Sequence, residues 1–432
     1  MLFQLLLFCA AAASAAALAV LVLRLLGLQA VSLSGRRLSL CKPMVLAGDT
    51  FTPRDGLWAV LWGLGALVIF HGATLLYCGI FGDGVSWEHF WTAWRQYDGY
   101  HYLGLAEHGY AGYTEGGRPL FLVFFPLYPW LMRLLHLFIP SYPLCGLLLS
   151  GACFVGSCVV MQALVIREFG RKTARGSLVF LTAYPFAFFF ASFHTESLFL
   201  LLSLGCFYCI RTHRWAPAGV LGALAALTRM QGVFLAVVAF AEYWMTERPL
   251  DKLRGRDWRG LWQDLWGKLF WMAFMGLGTL VYLGLNFAVT GDPFSFMDFQ
   301  KERWYQGFAL FTTSLTKLWN GFLHPSEGYE FAAYTTWGPQ LVLFVFCLIF
   351  LLYGVRRMPP VWMLYYAVCV FLNFSLSNPL SCCRYIACAF PLPVMLAVGS
   401  KRHPSGGTFL LVVYGALQGI FLMAYFAGRH VC

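Results

Sequence analysis

The chain has 432 residues, of which 60% are hydrophobic and only 11% are charged. This composition excludes a soluble multidomain enzyme, because too few polar residues remain to cover a water-exposed surface. The net charge of +11 does not indicate nucleic-acid binding. Lys and Arg fall in short clusters between apolar runs, and no soluble basic domain is left to carry a nucleic acid. We therefore expect an integral membrane protein with membrane lipids, and no nucleic acid, as partners.

Apolar runs that suit membrane helices follow one another along the whole chain. Short alternating segments typical of a membrane barrel are absent from the sequence, so we predict an all-α polytopic protein. No linker divides residues 1–432, which predicts a single domain. Residues 1–56 form an extra N-terminal helix and a cytoplasmic loop, and residues 81–143 form the first outer loop. The predicted crossing segments are 2–22, 57–80, 144–166, 178–210, 217–245, 269–289, 341–355, 361–376, 385–398 and 409–426.

Two of these runs, 178–210 and 217–245, are long enough for either one helix or a tight hairpin, and each carries charge near its middle. A single helix would leave Glu196 and Arg229 near the bilayer centre at a cost of about 2.5 kcal/mol or more per charge. Hairpins instead turn both charges outward and place the basic clusters that flank the runs on the cytoplasmic side. We predict two hairpins and about twelve crossings in total, with the N-terminus outside.

The first outer loop contains a further apolar segment, 120–139, which Pro126 and Pro129 interrupt. Counting it as a crossing would invert the side of every later loop. We therefore predict interfacial or re-entrant helices here.

The same loop holds Asp98 and His101, which share a face if the segment is helical. A carboxylate beside an imidazole and aromatic rings at a membrane boundary can accept a proton from a sugar hydroxyl. The alternative is an interfacial loop with a solvated Asp, and spacing alone leaves both open.

Glu196 lies in an apolar run and needs a partner, for which Arg229 and Arg384 are the candidates. A guanidinium placed there suits a lipid phosphate, although a structural Glu–Arg pair between helices is the alternative. His and Cys do not fall at zinc spacings, and no glycine-rich phosphate loop follows a strand. We therefore predict neither a metal nor a cofactor.

Six segments resemble, in their order, motifs of the GPI mannosyltransferase 2 (PIG-V) family, which belongs to the GT-C superfamily of polytopic glycosyltransferases. The resemblance extends from the first outer loop to near the C-terminus, with Tyr97 in place of the usual Trp and His194 in place of Tyr. The segments are YDGYHYLGLAEHGY at 97–110, FFPLYP at 124–129, FHTESLF at 193–199, ALTRMQG at 226–232, GDPFSFMDFQ at 291–300 and SCCRY at 381–385.

This resemblance implies a GT-C fold and an inverting mannosyltransferase that acts at the extracytoplasmic face. The donor would be polyprenyl-phosphate or dolichyl-phosphate mannose, and the acceptor a lipid-linked, GPI-like or bacterial glycolipid. Asp98 would be the general base, while Arg229 or Arg384 would stabilise the departing phosphate. The other residues expected to bind donor or acceptor are His101, Glu107, Glu196 and Gln300.

Two alternatives remain at this point. One is another GT-C transferase with a different sugar or a protein acceptor. The other is a lipid or sugar transporter, which would need a charged pathway through the membrane. Compact outer loops favour the bacterial plasma membrane, and the endoplasmic reticulum membrane is the topologically equivalent alternative.

Overall fold

A computed structural model of the chain describes residues 2–27, 30–31, 37–38, 49–82 and 84–431. Helices dominate these segments, which confirms the predicted all-α class. Two strands of two residues pair in antiparallel register, with Ala30 opposite Leu38. Most of the predicted loop within residues 1–56 lies outside the described residues. The first elements are α1 (Leu2–Leu25), β1 (Ala30–Val31), β2 (Arg37–Leu38), α2 (Pro53–Phe81), α3 (Trp87–Trp94), α4 (Asp98–Gly112), α5 (Leu127–His136) and α6 (Tyr142–Phe169).

Local sequence explains where these helices begin and end. Thr52 and Asp55 form a reciprocal capping box at the start of α2, with Pro53 in the first turn, so the first free N–H groups are satisfied. Gly170, at a φ of 85°, reverses the chain after α6, a backbone conformation that favours glycine. The next helices are α7 (Arg171–Ala183), α8 (Glu196–Arg211), α9 (Trp215–Thr228), α10 (Leu235–Glu247), α11 (Pro249–Arg254), α12 (Trp258–Asp264), α13 (Phe270–Phe274) and α14 (Leu277–Thr290).

The two long apolar runs are each broken into two helices, as predicted. Pro185 follows α7 and keeps Tyr184 out of the helical region, at a φ of -53° and a ψ of 135°, which ends the helix. After α9, Arg229 is extended and Gly232 packs so closely on the Ala225 backbone that a Cβ would clash with it. The remaining helices are α15 (Ser295–Trp304), α16 (Phe311–Leu323), α17 (Glu330–Ala332), α18 (Gly338–Gly354), α19 (Pro360–Phe374), α20 (Cys382–Ile386), α21 (Pro391–Arg402) and α22 (Pro404–Phe426).

Short single-turn segments of other helix types lie at several of the breaks. Residues 187–191 and 230–234 form 3-10 turns inside the two hairpins, and Leu120–Val123 forms another between α4 and α5. Leu265–Leu269 and Ala333–Trp337 are π-helical. The predicted first outer loop, 81–143, contains the helices α3, α4 and α5, which lie between α2 and α6. Helices were expected in this loop.

The helix bundle has two distinct ends, which ion pairs define. Arg211, the last residue of α8, lies 2.6 Å from Glu168 Oε1 near the end of α6 and 2.6 Å from Glu242 Oε2 in α10. Glu196, the first residue of α8, lies about 22 Å away along the helix axis and is hydrogen-bonded to Arg229. We call these the Arg211 end and the Glu196 end.

These contacts give the direction of the hairpin helices. Because Arg229 meets Glu196 and Glu242 meets Arg211, α9 runs toward the Glu196 end and α10 returns from it. Other basic residues gather at the Arg211 end, where Arg171 pairs with Asp55 at the start of α2. This grouping agrees with the predicted hairpins.

Large apolar side chains are exposed along the outer helices, a surface that suits lipid and not water. The chain is thus an integral membrane protein. By length and composition, five described helices can each cross a membrane, and six if the bent pair Trp258–Phe274 and Leu277–Thr290 is one span. The number of about twelve crossings also counts shorter helices inside the bundle, and it stays a prediction. Examples of exposed apolar side chains are Val68, Ile69, Phe287, Val342 and Val412.

The hairpin arrangement predicts that Met230 and Arg214, both exposed, lie on opposite sides of the membrane. In a cysteine-depleted background, a membrane-impermeant maleimide should label Met230→Cys from outside in intact cells. It should label Arg214→Cys only after the membrane is opened. Labelling of both positions from the same side would contradict the arrangement.

Candidate active site

Asp98 is the first residue of α4 and is placed by unusual local backbone. The preceding residue, Tyr97, has a φ of 50°, a backbone conformation that residues other than glycine adopt only at some cost in energy. The Tyr97 hydroxyl donates a hydrogen bond to the backbone oxygen of Arg429 near the C-terminus. Gly99 packs against Phe193 and His194, where a Cβ would lie within 3.3 Å of both side chains. The start of α4 is therefore held against the break between α7 and α8.

Arg384 lies in the short helix α20 and forms an ion pair with Asp98. The same guanidinium nitrogen, Nη2, also donates a hydrogen bond of 3.1 Å to the Tyr385 hydroxyl. The Arg384 side chain is only 5% exposed, whereas that of Asp98 is 24% exposed. Asp98 is thus the more accessible member of the pair.

Glu196 connects this pair to a second arginine. Its Oε1 accepts a hydrogen bond of 2.9 Å from Arg229 Nη1 and lies 3.0 Å from Arg384 Nε. The N–H group of Arg384 Nε is not aligned for a hydrogen bond to Glu196 Oε1. Arg384 Nε and the second carboxylate oxygen, Glu196 Oε2, both lack hydrogen-bond partners among the described residues. The Arg229 guanidinium also lies over the Tyr385 ring, 4.0 Å from its centroid. We call Asp98, Glu196, Arg229 and Arg384 the charge cluster.

The charge cluster contains two carboxylates and two guanidinium groups, so its formal charge is zero. Such a balance is expected, because an unpaired charge in an apolar bundle is costly. Burial disfavours the charged form of Asp98, but the nearby cations outweigh this effect, Arg384 above all, and the pKa of Asp98 lies below its usual value. Asp98 is therefore ionised at neutral pH and available as a proton acceptor.

A cavity of about 690 Å³ opens beside the charge cluster. This volume lies within the usual range of small-molecule sites. Asp98, Arg229 and Arg384 line it on one side. Its other walls are largely apolar or aromatic, and they include Phe124, Phe125, Phe296, Met297, Trp304, Phe308, Trp337, Leu372 and Leu376. The cavity thus has one charged side, and its other walls are largely apolar.

The predicted site residues divide into three groups: residues that line the cavity, one residue behind it, and two residues away from it. Asp98, Arg229, Arg384 and Gln300 line the cavity. Glu196 lies behind it and contacts both arginines.

His101 and Glu107 are not among the cavity-lining residues of the described chain. His101 stacks on Phe121, with ring centroids 4.5 Å apart, and shares a hydrogen bond of 3.1 Å with the Tyr113 hydroxyl. Burial lowers the pKa of His101, so its ring is neutral at neutral pH. The Glu107 side chain is exposed and lies near His108. Among the described residues, no hydrogen bond or ion pair joins either side chain to the charge cluster, although His101 shares α4 with Asp98 as the spacing predicted. The roles of both residues toward substrate stay predictions.

Several cavity residues were not selected from the sequence. Lys301 follows Gln300 in α15 and lines the cavity, as do Gln231 and Tyr385. Gln231 donates a hydrogen bond of 3.2 Å to Asn373, which joins the α9–α10 hairpin to α19. Lys301 directly follows the segment 291–300, whereas Gln231 and Tyr385 lie inside the segments 226–232 and 381–385, and these positions were the available signal. The described residues hold no group of three or more His, Cys, Asp or Glu placed for a metal ion.

Comparisons with known proteins add a similarity of structure. No protein-family model and no curated protein matches the chain. The chain is similar to the crystal structure of ArnT from Cupriavidus metallidurans bound to undecaprenyl phosphate, with 17% sequence identity and a TM-score of 0.48. The match covers 80% of this chain and 60% of that one, so the chain spans less than two thirds of the length of ArnT. At this level the similarity transfers neither a substrate nor a residue role.

The charge cluster predicts a large stability effect at Glu196. Replacing Glu196 with Gln leaves two buried arginines with one carboxylate, and we expect the free energy of unfolding to fall by about 3–5 kcal/mol. Denaturant unfolding of the purified protein in detergent measures this change. Glu88→Gln, at an exposed acidic residue of α3, is the matched control and should change stability by about 0.5 kcal/mol or less. Equal stability of the two variants would contradict a structural role for Glu196.

Proposed function

We propose that this chain is a membrane glycosyltransferase of the GT-C type that takes its sugar from a prenyl-phosphate carrier. The observation that carries the proposal is a carboxylate and two guanidinium groups on the charged side of one cavity, whose other walls are largely apolar. A proton acceptor and phosphate-binding groups are the two functions that such a transfer requires.

The arginines fit the phosphate of the donor. A guanidinium group binds phosphate oxygens with two parallel hydrogen bonds, and it does so more strongly where water is excluded. The apolar walls beside the arginines suit a lipid chain. At the cavity, Phe308 is 82% exposed, and neighbouring Leu310 is also exposed. This apolar rim supports a carrier that enters from the bilayer and not from water.

The proposed reaction is a single inverting displacement. An acceptor hydroxyl oxygen forms a bond to the anomeric carbon of the sugar as the bond from that carbon to the phosphate oxygen breaks. The electron pair of the broken bond leaves with the phosphate, where the arginines stabilise it. Asp98 accepts the hydroxyl proton, a role for which its exposure to the cavity and its ionised state suit it.

Mannose as the sugar, and a GPI-like or bacterial glycolipid as the acceptor, rest on the resemblance to the GPI mannosyltransferase 2 (PIG-V) family. At two positions within these motifs, close packing leaves little or no room for a side chain, which supports this resemblance. Gly99 allows α4 to approach the break before α8, and Gly232 allows the hairpin turn to close on α9. We place the reaction at the extracytoplasmic face, in a bacterial plasma membrane by preference.

The carrier can be tested with purified full-length protein and acceptor lipids from cells that lack it. We expect transfer from polyprenyl-phosphate mannose and none from GDP-mannose, because the cavity has apolar walls and two arginines beside the carboxylate. Product formation is followed by mass spectrometry of the lipids. Polyprenyl-phosphate glucose, offered in parallel, tests the sugar. Transfer from GDP-mannose alone would reject the proposal.

The role of Asp98 predicts a kinetic effect. Asp98→Asn keeps the size of the side chain but removes the proton acceptor, so turnover should fall by about 10²-fold or more. Glu88→Gln should retain turnover, because Glu88 is exposed and does not line the cavity. A folded Asp98→Asn protein with wild-type turnover would remove Asp98 from the mechanism and make Glu196 the next candidate base.

A further inference from the structure

Arg384 occupies a position shared by the two halves of the proposed reaction. It lines the cavity that would hold the phosphate, yet its Nη2 is already engaged by Asp98, the proposed base. The two roles conflict in this arrangement. A carboxylate held by a cation is a weak base, and a guanidinium held by a carboxylate is less available to a phosphate.

The second arginine is held differently. Arg229 is hydrogen-bonded to Glu196, whose side chain is 1% exposed and does not line the cavity. It also lies over the Tyr385 ring. Arg229 therefore has a fixed counter-ion behind the cavity wall. Arg384, in contrast, has its main carboxylate partner, Asp98, inside the cavity.

Arg384 also has the contacts needed to move without losing its charge compensation. Its Nε stays 3.0 Å from Glu196 Oε1, and its Nη2 donates to the Tyr385 hydroxyl. Nε has no aligned acceptor among the described residues, so the guanidinium has unused hydrogen-bonding capacity. Because Glu196 faces Nε and Asp98 faces Nη2, a change of partner at Nη2 does not require the loss of the Glu196 contact.

We propose that Arg384 exchanges partners during transfer, passing from the Asp98 carboxylate to the phosphate as the sugar leaves. This inference rests on the proposed function and makes Arg384 the link between the base and the leaving group. As the acceptor proton moves to Asp98, the carboxylate becomes neutral and releases Arg384. At the same time the broken bond places a second negative charge on the phosphate, which Arg384 then compensates.

The charges balance at each stage. Before transfer, the donor is a phosphodiester with one negative charge, and Asp98 carries another. After transfer, Asp98 is neutral and the prenyl phosphate carries two negative charges. The total charge is unchanged. One negative charge moves from Asp98 to the phosphate. A rigid arginine bound to Asp98 throughout would compensate the wrong group in the product state.

The exchange is tested by binding of undecaprenyl phosphate, the chemical form of the leaving group, to the purified full-length protein in detergent. Asp98→Asn imitates the protonated base and releases Arg384. The variant should bind undecaprenyl phosphate about tenfold more tightly than wild type, because a charge-assisted hydrogen bond no longer competes. Isothermal titration calorimetry measures the dissociation constants, and Glu88→Gln should bind as wild type does.

A double mutant separates the exchange from simple repulsion between Asp98 and the phosphate. In an Arg384→Gln background, Asp98→Asn should give little or no gain in affinity, because no arginine is left to release. The same tenfold gain in that background would mean repulsion alone and would overturn the exchange. Should Arg384→Gln fail to fold, Arg384→Lys serves instead. A lysine lacks the guanidinium fork, so the gain must be smaller than in wild type.

The remaining outcomes distinguish the exchange from the function on which it rests. Wild-type protein that binds undecaprenyl phosphate no more weakly than Asp98→Asn would overturn the exchange and leave the proposed carrier standing. An absence of binding by wild type and Asp98→Asn alike would reject both. Tighter binding by Asp98→Asn that depends on Arg384 supports the exchange.

Discussion

The ion pair between Asp98 and Arg384, extended by Glu196 and Arg229, is the constraint around which the bundle is organised. These four residues come from four separate parts of the chain, and Glu196, Arg229 and Arg384 are buried. Leaving any one of them unpaired in an apolar interior costs several kcal/mol. The first outer segment, the break before α8, the turn after α9 and α20 must therefore meet at one place.

A second network of ion pairs lies at the Arg211 end of the bundle. Arg211 joins the ends of α6, α8 and α10 through Glu168 and Glu242, and Trp362 donates a hydrogen bond of 2.7 Å to Glu168 from the start of α19. Because both ends of α8 are anchored by charge, the helix has a defined direction and depth. The Arg211 network is remote from the cavity, so anchoring and chemistry are assigned to different ends of the same helices.

The cavity combines a charged side with largely apolar walls. Its charged side is supplied by helix ends and breaks, where backbone geometry such as the extended Arg229 directs side chains inward. Many of its apolar lining residues come from α15 and the segments that follow it, including Phe296, Trp304 and Phe308, although Gln300 and Lys301 of α15 also line the cavity. A substrate with a charged head and an apolar tail matches this division, and that match is independent of any resemblance.

The class of the protein and the residues that bear charge within apolar runs can be predicted from the sequence. A long apolar run has few options in a bilayer, and a charge within such a run needs a partner, so the hairpins and the importance of Glu196, Arg229 and Arg384 followed from composition and position. Which carboxylate meets which arginine depends on how distant helices pack and cannot be predicted from the sequence. Sequence spacing predicted that Asp98 and His101 share a helix face, and both residues lie in α4. It did not predict that His101 stacks on Phe121 or that Asp98 pairs with Arg384, 286 positions away. Pairing between distant segments depends on how helices pack and on the cost of desolvating each charge, and neither is encoded in the local pattern around a residue.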